Sequence, residues 1–422
     1  MKKIKKIFKW TFIVLVSYFV ITTLYFGYSD IDPKKGVHKF YWSGLNAIWK
    51  KNKSFGFKTN EIVETKLNGV DGPYIIKDSI FYVTEENMPV ALRLDSTDSI
   101  TVKTSCKELP QFTVKLKDTI SVENDMYEMP EKLIAISDIE GNFAGFFSFL
   151  LANKVIDNKG NWIFGDGHLV LNGDFVDRGD QVTQVLWLIY SLEAQAESQG
   201  GKVHFILGNH EIMNLYGDAS YNDFKYLEIA RLISRQNDWD IGLRHLFSEY
   251  AELGKWLRSK NIVEKIGNAI FVHGGLNTFH VKGKYAISEM NTISRSYLGV
   301  LPIKDSIRNE RDKPIISSTH SPYWDRTLNL DWKYQIMYKI NGIKAEEPDL
   351  TTLDDILEFY KSSKIIIGHS VVDDISTGFN NKVIKIDVKH GHDFRSGKTK
   401  GLLIQNSNYY KIDDNMMKVK IL

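Results

Sequence analysis

Hydrophobic and polar residues change rhythm three times along the chain. Residues Trp10 to Ser29, WTFIVLVSYFVITTLYFGYS, carry no charge, and five lysines crowd the nine residues before them. About twenty helical residues at ~1.5 Å each reach across ~30 Å of bilayer hydrocarbon. The pattern predicts an uncleaved signal anchor over residues 1–29, its basic tip in the cytoplasm. The small-residue A-x-A cleavage pattern of a secretory signal peptide is missing. The expected location is therefore a single-pass membrane protein with the remainder extracytoplasmic, periplasmic in a Gram-negative bacterium.

From Asp30 to about Glu131 the rhythm becomes short and alternating, as in PYIIKDSIFYVT, SITVKT and QFTVKLK. Such runs between Asp, Asn, Gly and Ser clusters predict strands, here an accessory β-rich segment packed on the main domain. From Lys132 strand and helix patterns alternate. LIAIS, HLVLNG and KVHFILG read as strands, with NFAGFFSFLLANKV and VTQVLWLIYSLEAQAES as the helices between them. That βαβαβ order predicts an α/β sheet with helices on its faces. NAIFVHGG, KIIIGHS, KVIKIDV and GLLIQNSNYYKI read as later strands. Ile212–Ile262 and Asn277–Lys361 read as mostly helical, aromatic-rich insertions.

Composition narrows the picture. A chain of 422 residues, 43% hydrophobic and 25% charged, can bury a sizeable core in two or three domains. Lys and Arg number 54 against 52 Asp and Glu, so no basic excess points to nucleic acid. Cys106 is the only cysteine, which excludes an intrachain disulfide and a cysteine-based zinc cluster.

The candidate chemistry sits where strands end. LIAIS leads to Asp138 and Glu140, HLVLNG to Asp174, Asp177 and Arg178, and KVHFILG to Asn209, His210 and Glu211. AIFV leads to His273 and KIIIG to His369. Ligands of α/β sheets bind at the carboxyl ends of strands, so these side chains can converge on one point. Asp138, Asp174, Asn209, His273 and His369 offer oxygen and nitrogen donors without thiolate, a mixture suited to Mn²⁺, Fe²⁺ or Zn²⁺. Several carboxylates at one edge repel unless cations neutralise them. There are enough ligands for two ions, with one carboxylate bridging. Each residue alone has a structural explanation; their joint, ordered occurrence points to a metal site.

SDIEGN, GDFVDRG, GNHE, HGG and GHSVVDD resemble the successive motifs of the calcineurin-like metallophosphoesterases, in the phosphoprotein-phosphatase branch. GNHEIMNLYGD, SEYAELGKWLRSKN, FVHGGLN and SPYWDR resemble the Shewanella-like phosphatases of bacteria and plants. The resemblance runs from about Lys132 to the C-terminus. It implies an α/β fold with central β-sheets in a β-sandwich, flanked by helices and carrying helical insertions. The expected division is a basic tip plus transmembrane helix over 1–29, a β-rich accessory segment over 30–131 and the phosphoesterase domain over 132–422.

By the same resemblance Asp138 and Asp174 hold a first metal, with Asp174 bridging to a second held by Asn209, His273 and His369. Asn209 also reaches the phosphate. His210 is the general acid, held by Asp177, and Arg178 binds phosphate through its guanidinium fork. A hydroxide between the ions attacks phosphorus in line. Arg326, in SPYWDR, is the candidate second phosphate-binding arginine. The implied cofactors are two divalent ions, Mn²⁺ first, with Fe, Zn and Mg as alternatives. One motif departs from the pattern: Asp-x-His is replaced by Asp138-Ile139-Glu140. Glu140 either ligates the first metal in place of the imidazole or turns away. His390 and His392, in KHGHDF, either line the cleft or sit in a solvated loop. The activity implied is phosphomonoester hydrolysis by a membrane-anchored enzyme, with Ser, Thr or Tyr phosphoproteins as candidate substrates. A nucleotide or dinucleoside-polyphosphate hydrolase is the alternative enzyme. An inactive metal- or phosphate-binding protein, suggested by Glu140, is the alternative of another class.

Overall fold

The structure, a computed structural model, describes residues 2–26, 28–32, 37–42, 53–58, 71–84, 89–94, 99–300, 307, 309–340, 342–343 and 345–422. From residue 132 onward its strands are β1 (Lys132–Ile136), β2 (His168–Asn172), β3 (Lys202–Ile206), β4 (Val263–Ile266) and β5 (Ala269–Val272). They continue as β6 (Lys364–Ile367), β7 (Ser376–Gly378), β8 (Val383–Lys385), β9 (Lys400–Gln405), β10 (Asn408–Asp413) and β11 (Lys418–Lys420). Among the described residues they build two six-stranded sheets. One has the order β3-β2-β1-β9-β10-β11; the other runs β7-β8-β6-β5-β4 and ends on the short strand Met126–Tyr127. That last strand lies before the expected boundary at 132.

Burial explains why the strands read as continuous apolar runs. Leu133, Ala135 and Val170 from one sheet share a buried cluster with Phe271, Ile366 and Ile384 from the other. Their neighbours Ile134, Ile136, Leu169 and Leu171 point the opposite way, into a cluster with Phe143, Phe146, Trp187 and Tyr190. The last four come from the helices Phe143–Ala152 and Val182–Glu197. Alternate residues thus face the other sheet or a helix, and both faces are apolar. The result is the expected α/β arrangement of sheets flanked by helices.

β1, β2 and β3 are parallel neighbours, as are β5, β6 and β8, so their carboxyl ends emerge at common edges. The two edges are tied directly. Asn172, the last residue of β2, donates its amide to the carbonyls of Val272 (3.0 Å) and Ile366 (3.4 Å) in the second sheet. GLLIQNSNYYKI, expected as one strand, is a hairpin of β9 and β10. Asn406 and Ser407 between them have φ of 50° and 61°, which is the backbone of a tight two-residue turn.

The described part before 132 contains strands and, past residue 26, no helix. From Asp71 onward it packs on the helix Val182–Glu197, where Trp187 Nε1 donates to Pro73 O at 2.8 Å and Tyr190 Oη accepts from Lys117 N at 2.8 Å. A 25-residue helix, Lys2–Phe26, forms where the anchor is expected. Among the described residues, however, no helix is long and apolar enough to cross a membrane. Side chains of this helix are described over 4–21, and Lys5, Lys6 and Lys9 occupy its first turns. The side chains of 22–29, the rest of the expected span, lie outside the described residues. The expected transmembrane helix is thus not found.

Candidate metal and phosphate site

The loops after β1 and β2 are laced together by their backbones. Asp138 N donates to Gly173 O (2.9 Å), Glu140 N to Asp174 O (3.0 Å) and Gly179 N to Glu140 O (2.9 Å). Asp138, Glu140, Asp174, Asp177, Arg178 and His369 all have φ between 51° and 70°, a left-handed region that side chains other than glycine enter at a cost. Glu211 meets much of that cost. It accepts from the backbone N–H groups of Asp174 (2.9 Å), Phe175 (2.7 Å), Val176 (3.3 Å) and Gly208 (2.8 Å). At Gly208 a Cβ would fall 2.2 Å from Asp174 Oδ1, so only glycine lets the two loops close.

Within this frame Asp174, His273 and His369 place one ligand atom each within 4.8 Å of one another, all three buried. His273 Nδ1 donates to Asn172 O at 2.8 Å, which leaves Nε2 as the nitrogen that could ligate an ion. That Nε2 lies 3.0 Å from Asp174 Oδ2 and 3.2 Å from Asn209 Oδ1. Burial pushes the Asp174 carboxyl up, but His273 and His210 outweigh it and hold it at about 2. His369 Nε2 is buried without a hydrogen-bond partner among the described residues, and burial with the Arg326 charge beside it keeps the ring neutral. Asp138 accepts from His369 N at 3.3 Å. Its carboxyl is pushed well above the ordinary range by burial and then by the charge of Asp387.

Beside this group lies a buried histidine–carboxylate pair. His210 Nδ1 and Asp177 Oδ2 are 2.6 Å apart, and the other Asp177 oxygen accepts from Asn214 and Asn222, each at 2.7 Å. His210 Nε2 lies 3.8 Å from Asp174 Oδ2 and 3.3 Å from Arg178 Nη2. Burial lowers the His210 pKa, but Asp174 and Asp177 outweigh it, so the net shift is upward. Arg178 is ion-paired with Glu140. Arg326 donates to His369 O (2.5 Å) and Ser370 Oγ (2.9 Å) and stacks 4.1 Å over the Tyr334 ring. A cleft of about 930 Å³ opens onto these groups, with Asp138, Glu140, Arg178, His210, Arg326 and Asp387 in its wall.

Residues 131–373 match the model of the calcineurin-like phosphoesterase family. The chain belongs to that family. It is a metal-dependent phosphatase. It is similar to Shewanella-like protein phosphatase 1 of Plasmodium berghei (strain Anka), at 28% identity over 72% of this chain and 78% of the relative. Shewanella-like protein phosphatase 2 of Arabidopsis thaliana is 24% identical over 67% of this chain and 82% of the relative. Among solved structures, the cold-active protein-tyrosine phosphatase of a psychrophilic Shewanella species is 29% identical. It covers 83% of this chain and 99% of that one, with a TM-score of 0.68. A point mutant of cold-active protein tyrosine phosphatase gives 28% identity, 83% and 99% coverage and a TM-score of 0.70.

Calcineurin-like phosphoesterases typically carry two divalent metals, and the donors here fit. An orphaned imidazole nitrogen, a second imidazole with its proton committed to a carbonyl, and several buried carboxylates suit such ions. Asp138, Asp174, Asp177, Arg178, Asn209, His210, His273, Arg326 and His369 gather at this one edge. Glu140 reaches it, but its carboxylate is on Arg178. His392 is exposed; His390 is buried and bonds Ser137 O at 2.8 Å, so it supports the loop and stays out of the cleft. Sequence reading missed roles for Glu211, Asn214, Asn222 and Asp387. Glu211 stands in the GNHE motif itself, and Asn214 follows His210 by one helical turn. Asp387 is the next-to-last residue of KVIKIDV, near where the strand-end rule already pointed.

Proposed function

We propose that this calcineurin-like phosphoesterase hydrolyses phosphomonoesters on proteins, with Mn²⁺ as its working ion. The observation that carries the reading is the His210–Asp177 pair, 2.6 Å apart, with His210 Nε2 at 3.8 Å from Asp174 Oδ2 beside Arg178. An acid, a guanidinium and a metal group share one cleft. Asp138 and Asp174 would hold one ion, and Asp174, Asn209, His273 and His369 the other. When bound, the ions supply Lewis-acid charge and an activated water. Arg178 and Arg326 bind the non-bridging phosphate oxygens. Asp177 keeps the proton on His210 Nδ1, so Nε2 is the atom that gives a proton to the leaving oxygen.

The protein substrate is supported by similarity to the cold-active protein-tyrosine phosphatase, whose sequence is spanned almost whole. An open cleft with an exposed rim at Val371 and Met337 suits a macromolecule. The test is a substrate panel on chelated and Mn²⁺-reloaded protein. Expected are loss of turnover with chelator, recovery with Mn²⁺ and preference for phosphopeptides over nucleotides. Faster turnover of nucleotides or dinucleoside polyphosphates would assign the other hydrolase class, and no turnover with ions bound would assign a binding protein.

The location of the enzyme is a separate proposal. Trp10, Phe12, Leu15 and Phe19 are exposed on the N-terminal helix, just after Lys5, Lys6 and Lys9. Such a surface supports attachment of this end to a membrane, with the phosphatase domain on the extracytoplasmic side. Protease added outside intact cells should then digest the domain; digestion only after the cells are opened would reverse the orientation.

A further inference from the structure

Asp387 lies two residues beyond β8, the strand beside β6, and β6 leads to His369. Ile367 and Lys385 are partners in parallel register, so Asp387 and His369 leave the sheet at the same edge. The backbone fixes the placement further: Ile386 N donates to Ile367 O (2.9 Å) and Val372 N to Asp387 O (2.8 Å). Asp387 is 3% exposed and lines the same cleft as Asp138 and Asp174. Its carboxylate makes no hydrogen bond or ion pair among the described residues. The cations nearby are engaged elsewhere, Arg178 by Glu140 and Arg326 by His369 O and Ser370 Oγ.

Three carboxylates, Asp138, Asp174 and Asp387, are thus buried around one wall of the cleft, with neither Asp138 nor Asp387 touching a cationic side chain. A buried carboxylate left without a cation is strongly unfavourable, because its charge loses hydration with nothing to replace it. A divalent ion is the group that balances them. The orphaned, buried Nε2 of His369 marks ion coordination at this edge independently of the acidic groups. We infer that Asp387 is a further ligand on the Asp138 side of the two-ion site, and that Glu140, whose carboxylate is held on Arg178, is not one. The Asp138 ion then sees the oxygens of Asp138, Asp174 and Asp387, a hard set favouring Mn²⁺ or Mg²⁺ over Zn²⁺. The other ion keeps the imidazoles. This rests on the two-ion reading of the cleft.

The test counts ions without relying on turnover. Wild type, Asp387→Asn, Asp387→His and Glu140→Gln are loaded with Mn²⁺, desalted and measured for bound manganese and for magnetic coupling between ions by electron paramagnetic resonance. Wild type and Glu140→Gln should each hold about two coupled ions. Asp387→Asn should hold about one, showing an uncoupled Mn²⁺ signal, with affinity for the second ion weakened at least ~10-fold. Two coupled ions in Asp387→Asn, or loss of an ion in Glu140→Gln, would overturn the assignment. If Asp387→Asn does not fold, Asp387→His decides: a shift in preference from Mn²⁺ toward Zn²⁺ supports ligation, and an unchanged preference rejects it. A wild-type chain that holds no ion would instead overturn the two-ion reading itself.

Discussion

Glu140 forms an ion pair with Arg178, and another terminal nitrogen of the same guanidinium lies 3.3 Å from His210 Nε2. The side chain at the family's variant motif position is therefore bonded to the arginine proposed to bind phosphate. A carboxylate on that guanidinium occupies donors that phosphate oxygens would use. The side chains are 26% and 48% exposed, so the pair is worth at most ~1 kcal/mol. Glu140→Gln should release Arg178 and let inorganic phosphate inhibit at up to ~5-fold lower concentration. Competitive inhibition constants check this, and an unchanged or weaker phosphate affinity contradicts it.

If His210 is the general acid proposed above, its importance depends on how badly the leaving oxygen needs a proton. General acid catalysis is worth ~10²–10⁴-fold. His210→Asn should cost that much on alkyl phosphates and much less on nitrophenyl phosphate, whose leaving group departs unprotonated. Equal losses on the two substrates, measured as kcat/KM, would make His210 a structural residue only.

Glu211 holds four backbone N–H groups of the loops that carry Asp174 and Asn209. Glu211→Gln turns one acceptor oxygen into a donor facing other donors, at a cost on the order of 2–3 kcal/mol. Denaturant unfolding should report that loss, with weaker Mn²⁺ retention because the Asp174 loop loosens. Wild-type stability and wild-type ion content together would rule the anchor role out.

The accessory segment contributes to the pH dependence of stability through Glu123. Burial pushes its carboxyl up, but Lys260 and Lys202 outweigh that and hold it at about 2. Lys260 also donates to Glu193 at 2.6 Å, and Lys202 Nζ lies 3.2 Å from Glu123 Oε2. A folded pKa below the unfolded value means the stabilisation is complete above the unfolded carboxyl range. It is lost as pH falls from ~5 toward ~2. Glu123→Gln should remove on the order of 2–3 kcal/mol at neutral pH and flatten the acid limb of the stability curve. Melting temperatures from pH 7 to pH 3 measure it; an unaltered limb would assign the pH dependence to other groups.

The sequence by itself determined the strands β1, β2, β3, β5 and β6 and the residues that follow them, because both are local properties. An apolar run flanked by glycines extends, and the next polar residue must leave the sheet at its end. That is why Asp138, Asp174, Asn209, His273 and His369 were legible, as was the family resemblance their order carries. What only the tertiary structure decided was partner choice. Glu140 has the same local chemistry whether it faces an ion or Arg178, and the lacing of the β1 and β2 loops places it on Arg178. Asp387 reads as the polar end of a short strand until β8 is paired with β6 and brings it into the cleft of Asp138 and Asp174. Asn222 reaches Asp177 only because the insertion after His210 folds back over it. Covalent neighbours fix where a backbone runs. Which charges meet depends on long-range packing, because electrostatic partners are set by distance and burial in three dimensions.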